Sequence, residues 1–560
     1  MSWQHELDVL GTMRALADRM GGESGVERQR AQGKLTVRER IDRLVDGGSF
    51  AEIRSALGDA TWDEDGTLIS FRPGNTVAGV ARLDGRTVYV RGDDFTIRGG
   101  SSDAAGSAKR MIEAAAAEHR VPLVLLLDGA GGSVREVAGR DNVTGDGDPY
   151  GGVHAATRAA EPLVALREHG VAGRVSVPPT FEPPPAGGSS RDLAGQLARG
   201  NLLAQVPVAA AALGSCAGWI AIAVVDTHFS VMTKDTSELF VGGPPLVRQA
   251  LGIDIPKQEL GNYHIHVERT GVVQNVAEDE DDAFRQIRRF LSYLPANVWE
   301  APPRSAPTDD PNRREEALLS IIPRDRRRTY DVRKAIALVV DRDSTFEIAP
   351  LFGRALVTMF ARVDGFPVAV IANDPRHDGG AQTAAANQKF ERFVDLADTF
   401  HLPVVYLCDV PGFMIGPQSE AEGNLRWSLR ANKAVEEATV PYCTMIMRRF
   451  YGVAVGGSKR GPGLNPRYGW PSAESGSLPA AGGVMAAYRR VIEASPDPER
   501  TRIEMEERLN ALASVLHRPQ FVDEIVDPRD TRPLVVDFVR RAQGIIATQL
   551  GPKLRVGMRP

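Results

Sequence analysis

The sequence predicts an α/β protein assembled as a tandem duplication of one domain, and three observations carry that expectation. The stretch ARLDG (81–85) recurs as ARVDG (361–365), and the residues beyond stay in step: Asp94 pairs with Asp374, Gly99 and Gly100 with Gly379 and Gly380, and Lys109 with Lys389. One inserted residue later, VPLVLLLD (121–128) matches LPVVYLCD (402–409), and VPVAAAALG (206–214) has its counterpart in VPYCTMIMR (440–448). Within each copy, strand patterns alternate with helical ones and the apolar runs are continuous, the mark of parallel strands covered on both faces.

Taken in order, each copy opens with an alternating strand around an Asp-Gly turn and continues through a Gly-Gly loop. A helix of about fifteen residues then runs from Lys109 or Lys389, and an apolar run of strand length ends in Asp. The seam falls where composition changes: LPANVWEAPPRSAPTDDPNRREE (294–316) is rich in Pro and charge and has no apolar period. The expected organisation is therefore an N-terminal domain over 1–295, a linker over 296–325 and a C-terminal domain over 326–560. VSVPPTFEPPPAGGSSRD (175–192) reads as a surface loop of the first copy, and the arginines at 324 and 326–328 as a solvated face.

Composition excludes several classes. A net charge of -5 over 560 residues, with 25% charged, supplies no field for nucleic acid or an acidic membrane. Three scattered cysteines without CxxC spacing argue against a disulfide framework or a zinc ribbon and fit a reducing, cytoplasmic setting. The polar amphipathic start, MSWQHELDVLGTMRALADRM, lacks the apolar core of a signal peptide. VPVAAAALGSCAGWIAIAVV (206–225) is long enough to span a bilayer, but its Pro, Gly and Ala content predicts a buried strand, a tight turn and a packed helix.

The usual phosphate cradles, GxxxxGK[ST] and a GxGxxG after a strand, do not occur, and Ser215 lacks the glycine spacing of a GxSxG elbow. His264 and His266 form the one close histidine pair, with no further ligand at metal spacing, so no metal is expected. What stands out is glycine beside small residues directly after apolar strands: Gly129 to Gly132, Gly218 before Trp219, Gly412 before Phe413, and Gly452 before Val453 and Ala454. Such turns expose backbone N–H groups and lead into helix starts, and both favour negative charge on an oxygen. Two copies of the domain predict two such oxyanion cradles.

Several long segments resemble, in order, the carboxyltransferase (β) subunits of biotin-dependent acyl-CoA carboxylases of the propionyl-CoA carboxylase and methylmalonyl-CoA transcarboxylase type. They are GKLTVRERIDRLVDGGSFAEI (33–53), DFTIRGGS (94–101), KDTSELFVGGP (234–244), ELGNYHIH (259–266), CDVPGFMIGPQSE (408–420), EATVPYCTMIMRRFYGVAVGG (437–457) and WPSAESGSLPAAGGV (470–484). The resemblance implies two crotonase-like domains (the ClpP/crotonase superfamily) and a homohexamer, a trimer of dimers. It implies transfer of a carboxyl group from carboxybiotin to the α-carbon of an acyl-CoA through anions held in two backbone cradles. The biotin would be carried by a separate biotin carboxylase and carrier subunit, because this chain shows neither a biotinylation motif nor an ATP-grasp glycine loop.

Carried over by position, the first cradle comes from the N–H groups of Gly218 and Trp219 and the second from Val453 and Ala454. Gly99, Gly100, Gly131, Gly132 and Gly456 are expected on the acyl-CoA side, with Lys34 and Arg38, beside Arg40, at CoA phosphates. Gly379, Gly380, Gly412 and Phe413 are expected on the biotin side. Gly456 replaces the family's acyl-selecting Asp, which implies a roomier acyl pocket. The stretches 131–135 and 426–429 also depart from the family pattern. The alternatives are a biotin-independent decarboxylase acting on a carboxylated acyl-CoA, and a non-catalytic subunit that assembles with an active paralogue.

Overall fold

The computed structural model describes residues 2–101, 106–131 and 202–553. It divides into two units, Met1–His266 with Val276–Arg288, and Val267–Asn275 with Arg289–Arg559. The division thus falls seven residues before the expected 295/296 boundary, and 296–325 is counted with the second unit.

In the first unit, helices α1 (Gln4–Asp18), α2 (Glu23–Ala31) and α3 (Val37–Leu44) precede strand β1 (Ala51–Glu52) and a separate hairpin, β2 (Gly58–Trp62) with β3 (Leu68–Pro73). The main sheet then gathers β4 (Thr76–Leu83), β5 (Arg86–Asp93), β6 (Leu123–Gly129), β7 (Val208–Ala217), β8 (Phe229–Thr233) and β10 (Asn275–Ala277), with β1 outside β4 and β9 (Glu238–Phe240) added to the end of β7. Helices α4 (Gly106–His119), α5 (Trp219–Val225), α6 (Pro244–Leu251), α7 (Lys257–Gly261) and α8 (Glu280–Tyr293) fill the connections.

The second unit repeats this order. Strand β11 (Phe346–Glu347) stands outside β12 (Leu356–Val363), followed by β13 (Phe366–Asn373), β14 (Val404–Val410), β15 (Tyr442–Tyr451), β16 (Arg467–Gly469) and β18 (Glu524–Ile525), and β17 (Glu474–Gly476) extends β15. Helix α9 (Val332–Val339) matches α3, and α10 (Ala384–Thr399) matches α4, beginning five residues before Lys389. Beyond it lie α11 (Pro417–Ala421), α12 (Asn424–Glu437), α13 (Ala480–Glu493), α14 (Pro498–Ala513) and α15 (Thr531–Ile546).

The predicted duplication is therefore a duplication of topology. In each sheet the two pairs at the first edge, β1–β4–β5 and β11–β12–β13, are antiparallel, and the strands that follow, β5–β6–β7–β8 and β13–β14–β15–β16–β18, run parallel. Every residue of β6 and β14 is buried, as expected of central parallel strands. The 206–225 run folds as strand β7, a turn and helix α5, and no helix among the described residues is long and apolar enough to cross a membrane.

Both hairpins turn at the predicted Asp-Gly pairs, with φ of 50° and 78° at Asp84 and Gly85 and 52° and 77° at Asp364 and Gly365, a type I′ backbone that matches strand twist. Each turn is held by a carboxylate upstream. Asp46 accepts from the N–H groups of Asp84 (3.0 Å) and Gly85 (2.8 Å), and Asp341 from those of Asp364 (3.1 Å) and Gly365 (2.8 Å). The repeat thus begins earlier than residue 81, since TVRERIDRLVDGGSFAEI (36–53) aligns with DVRKAIALVVDRDSTFEI (331–348). Arg38 pairs with Glu52 as Arg333 pairs with Glu347.

In the second unit His401 is fully buried, and its Nε2 donates to the carbonyl of Val298 at 2.6 Å. That contact fixes the neutral tautomer. Burial, reinforced by Lys553, holds the imidazole pKa down to about 4. A depressed folded-state pKa stabilises above the unfolded value near 6.5 and loses that contribution as pH falls towards 4. His401→Gln, which keeps a donor for Val298, is expected to remove about 3 kcal/mol of the acid-side loss. Urea unfolding of both proteins at several pH values between 7 and 4 measures the difference in slope.

Candidate functional site

The two sheets carry the same irregularity at the same place. Between β6 and β7 the register shifts between Leu127 and Gly129, and between β14 and β15 it shifts between Cys408 and Val410. The residue inside each bulge is the aspartate that ends the apolar run, Asp128 or Asp409, and both are wholly buried. A buried carboxylate must be paired and hydrogen-bonded.

Asp128 is met by Lys34 Nζ (3.0 Å), Arg40 Nη1 (3.1 Å) and Gln29 Nε2 (3.0 Å), and Arg40 is balanced by Glu280 at 2.7 Å. Asp409 receives Arg448 (2.9 Å), Arg449 (2.7 Å) and the Tyr330 hydroxyl (3.0 Å). Burial pushes the Asp409 carboxyl upward, but Arg449 and Arg448 outweigh it and hold its pKa below the ordinary value.

These contacts reassign Lys34, Arg38 and Arg40, which were expected at CoA phosphates. Lys34 and Arg40 are buried against Asp128, and Arg38 is engaged with Glu52 and Asp18. Their charges are neutralised inside the first unit.

Each aspartate anchors a glycine turn. Gly99 and Gly100 have φ of 62° and 65°, and Gly379 and Gly380 of 61° and 79°, values open to glycine at little strain. A Cβ on Gly100 would collide with the Asp128 carbonyl, and one on Gly380 would lie 3.0 Å from the Asp409 carbonyl. Arg449 also donates to the Gly379 carbonyl at 2.7 Å, so a single guanidinium ties the second turn to the bulge. A Cβ on Gly131 would strike the carbonyl of Ala217, which sets that turn directly against Gly218. Gly132 and residues 133–135 lie outside the described residues, as does the 175–192 loop. Gly412 accepts from Gln382 N–H at 3.1 Å, and Phe413 forms a short parallel bridge with Gln382.

At the ends of β7 and β15 the chain makes the same move. Ala217 aligns with Phe240 as Tyr451 aligns with Gly476, and the next residues, Gly218 and Gly452, have φ of 56° and 65°. Helix α5 then starts at Trp219 and a 3₁₀ turn covers Gly452–Gly457. The first N–H groups of such segments have no partner within them. The structure refines the expected donors. Gly218 N–H is taken by the carbonyl of Phe240 at 3.1 Å, so Gly218 shapes the turn, while the N–H of Trp219 has no backbone partner among the described residues. Register equates Trp219 with Val453, one residue before the Ala454 of the expected pair. Both are exposed, Trp219 by 44% and Val453 by 72%.

Gly456 does not open a larger pocket. A Cβ there would lie 2.6 Å from Asn432 Nδ2, so the Asn432 amide already occupies that space. Sequence reasoning missed this residue, along with the cations of Asp409 and the paired buried glutamates Glu238 and Glu474, which meet Lys257 (3.0 Å) and Arg326 (2.6 Å). His266 Nε2 lies 2.9 Å from the Leu239 carbonyl, and no cluster able to hold a metal occurs among the described residues.

The same positive-φ glycine and helical turn thus follow the corresponding strand in both copies of a duplicated α/β sheet. The family profile described as "Carboxyl transferase domain" matches residues 28–174 and 186–543, and the chain belongs to that family. It is 32% identical over 550 residues to the propionyl-CoA carboxylase carboxyltransferase subunit of Haloferax mediterranei, covering 96% of each chain. It is 30% identical over 536 residues to the methylmalonyl-CoA decarboxylase subunit alpha of Veillonella parvula, covering 95% of each. Among solved structures, the transcarboxylase 12S hexamer with methylmalonyl-coenzyme A and methylmalonic acid bound superposes with a TM-score of 0.79 at 28% identity, over 100% of this chain and 97% of that one. The expected crotonase-like tandem fold agrees with these likenesses.

Lys34→Met separates the two roles for that residue. As a partner of buried Asp128, its loss should lower stability by about 3–5 kcal/mol in urea unfolding. A phosphate contact would instead leave stability within about 0.5 kcal/mol and weaken CoA thioester binding.

Proposed function

We propose that this chain is the carboxyltransferase subunit of a biotin-dependent acyl-CoA carboxylase, moving a carboxyl group from carboxybiotin to the α-carbon of an acyl-CoA. The observation that carries this reading is the repeated strand-end turn, Gly218 to Trp219 and Gly452 to Val453, with unpaired backbone N–H groups in a chain of the carboxyl transferase family.

In this reading the first unit holds the thioester. The Trp219 N–H donates to the thioester oxygen, where negative charge gathers as the α-carbon loses its proton. A fixed donor of this kind is worth about 3 kcal/mol in the transition state. The second unit, at Val453 and Ala454, would hold the electron-rich ureido oxygen of biotin, and the unpaired N–H groups there fit that acceptor. Bound carboxybiotin supplies the carboxyl group and, once it is released, the base. No side-chain base is needed from this chain. Gly99, Gly100 and Gly131 let the backbone approach the first site, and Gly379, Gly380, Gly412 and Phe413 frame the second.

A separate biotin carboxylase and biotin carrier would be the partners, and a homohexamer the assembly. The names of the relatives point to short acyl-CoA such as propionyl- and methylmalonyl-CoA. A second reading, decarboxylation of a carboxylated acyl-CoA, is favoured by the likeness to the Veillonella decarboxylase subunit. Turnover of a malonyl-type CoA with no biotin-bearing protein present would support it.

The test combines the chain with a biotinylated partner, ATP, bicarbonate and a panel of short, branched and long acyl-CoA. ATP consumption that depends on the thioester is expected, and silence across the panel overturns the reading. Trp219→Pro probes the donor directly beside Trp219→Ala: both lose the indole, but proline, which fits the first position of a helix, also lacks the N–H. It should lower kcat by about 10²–10³, while Trp219→Ala, which keeps the N–H, should stay within about tenfold of the wild type.

A further inference from the structure

The arginines at 324 and 326–328, expected as a solvated face, stand on a loop that the second unit holds firmly. Residues 324–329 are all exposed, but the chain is anchored on both sides of them. Ile321 and Ile322 pack against the core of the unit, and Tyr330 is buried with its hydroxyl 3.0 Å from Asp409. Between these anchors Arg448 donates to the Arg328 carbonyl at 3.1 Å, and Arg326 reaches Glu474 at 2.6 Å. The groups that clamp Asp409 therefore also fix this loop, and they fix it beside the second turn. Strand β17 sets Glu474 next to Arg449 and Gly476 next to Tyr451, one residue before Gly452. Two strand residues cover about 7 Å.

Arg326 is neutralised by Glu474. Arg324, Arg327 and Arg328 have no ion-pair or side-chain hydrogen-bond partner among the described residues. Asp325, the one acid among them, is engaged with main chain: its carboxylate accepts from the N–H of Arg327 at 2.9 Å and its carbonyl from that of Arg328 at 3.1 Å. Like charges this close repel, and these three find no compensation inside the fold. The first copy does without them. Carrying the alignment of 36–53 with 331–348 backward sets Gln29, Ala31, Gln32 and Gly33 at the places of the four arginines. The basic rim thus belongs to the second copy alone, in a chain whose net charge is -5.

The free charges constrain what can meet them. Guanidinium groups are planar and permanently charged, and they pair two-pronged with carboxylates and phosphates. A phosphate cradle draws on main-chain N–H groups, and those of Arg327 and Arg328 are already taken by Asp325, whose carboxylate adds a negative charge in the middle of the group. Carboxylates spaced along a polypeptide need neither a pocket nor those N–H groups, and each can meet one exposed arginine. A basic segment would be repelled, and an apolar one would leave the charges unpaired.

We infer that Arg324, Arg327 and Arg328 form a docking surface for an acidic stretch of a partner polypeptide beside the second turn. The inference rests on the carboxyltransferase reading only for the partner's identity: the protein that carries biotin, with acidic residues flanking the biotinyl group. Exposed ion pairs of this kind are individually weak, but together they steer the encounter and select the partner.

The test uses labelled peptides with a central biotinyl-lysine flanked on each side by three glutamates, three serines or three lysines, titrated against the full chain by fluorescence anisotropy. The acidic peptide should bind at least about fivefold tighter than the serine peptide, by a margin that shrinks as salt is raised, and the lysine peptide should bind most weakly. In the triple variant Arg324→Gln, Arg327→Gln, Arg328→Gln the acidic advantage should vanish, with serine-peptide binding and the urea midpoint unchanged. The triple variant Arg489→Gln, Arg490→Gln, Arg500→Gln, which removes the same charge from exposed positions elsewhere, should keep it. Equal binding of acidic and serine peptides, an advantage that survives the first variant or disappears in the second, or no peptide binding overturns the inference. Arginine-dependent binding of inorganic tripolyphosphate tighter than that of the acidic peptide overturns it in favour of a phosphate site. An acidic peptide without biotin and an acyl-CoA titration separate the inference from its premise. Arginine-dependent binding that ignores biotin, with no thioester bound, removes the carboxyltransferase reading and keeps the surface, whereas thioester binding without an acidic advantage refutes the surface alone.

Discussion

The burial of one carboxylate in each sheet is the constraint on which both candidate sites depend. Asp128 and Asp409 sit inside the bulges that end β6 and β14, and their own main chain carries the packing of Gly100 and Gly380. A bulge re-aims the strand and leaves one residue outside the ladder. If that residue is a buried aspartate, its position is determined by whichever cations reach it, because an uncompensated charge there would be worth several kcal/mol against the fold. The electrostatic clamp and the position of the glycine turns are therefore one structural fact.

The two copies meet this constraint in different ways. In the first unit the cations come from outside the sheet, Lys34 before α3 and Arg40 on it, and the neighbouring strand offers Gly214, where any Cβ would collide with the Asp128 carboxylate. In the second unit the residue at the place of Gly214 is Arg448, which supplies the cation from within β15, while the place of Arg40 on α9 is taken by Ala335. A side chain deleted from the strand in one copy is matched by one deleted from the helix in the other. The clamp persists as a charge balance although its residues have changed places. The acid pair Glu238 and Glu474 obeys the same logic, each a strand residue beside the cradle and each neutralised by a cation from a different segment.

This exchange explains what the sequence could and could not disclose. The tandem fold was legible because it is written in backbone requirements: Asp-Gly turns, paired glycines and apolar runs, all at matched spacing. The strand-turn-helix character of 206–225 is carried by similar signals. The upstream repeat, with Asp46 and Asp341 holding the hairpin turns, was equally open to inspection at 36–53 and 331–348 but is separated from the later repeat by insertions of different length. The fate of Lys34, Arg38 and Arg40 was not legible. A basic helix face that meets phosphate and one that meets buried aspartate have the same pattern, and only the third dimension brings Asp128, nearly a hundred residues away, into reach. Gly456 misled for a related reason: a missing side chain predicts space only if no neighbour fills it, and Asn432 lies on another helix.

Under the proposed function, the same asymmetry bears on how twin cradles would serve different reactants. Around the first turn many of the described residues are small, Gly99, Gly100, Gly129, Ala130, Gly131, Cys216, Ala217 and Gly218, with Phe95 beside Gly99 and Trp219 at the start of α5 as bulky neighbours. In the second copy, Arg449 donates to the Gly379 carbonyl, and Asn424 links Asn387 to the Gln382 carbonyl just beyond that turn. A backbone donor stabilises charge on any suitably placed oxygen and discriminates little between them. Discrimination between reactants has to come from side chains, and after duplication it is the side chains that are free to diverge while the glycine turns and their buried anchors stay fixed. The structure has common main-chain geometry at both strand ends and different side chains directly after the glycine, Trp219 in one copy and Val453 in the other.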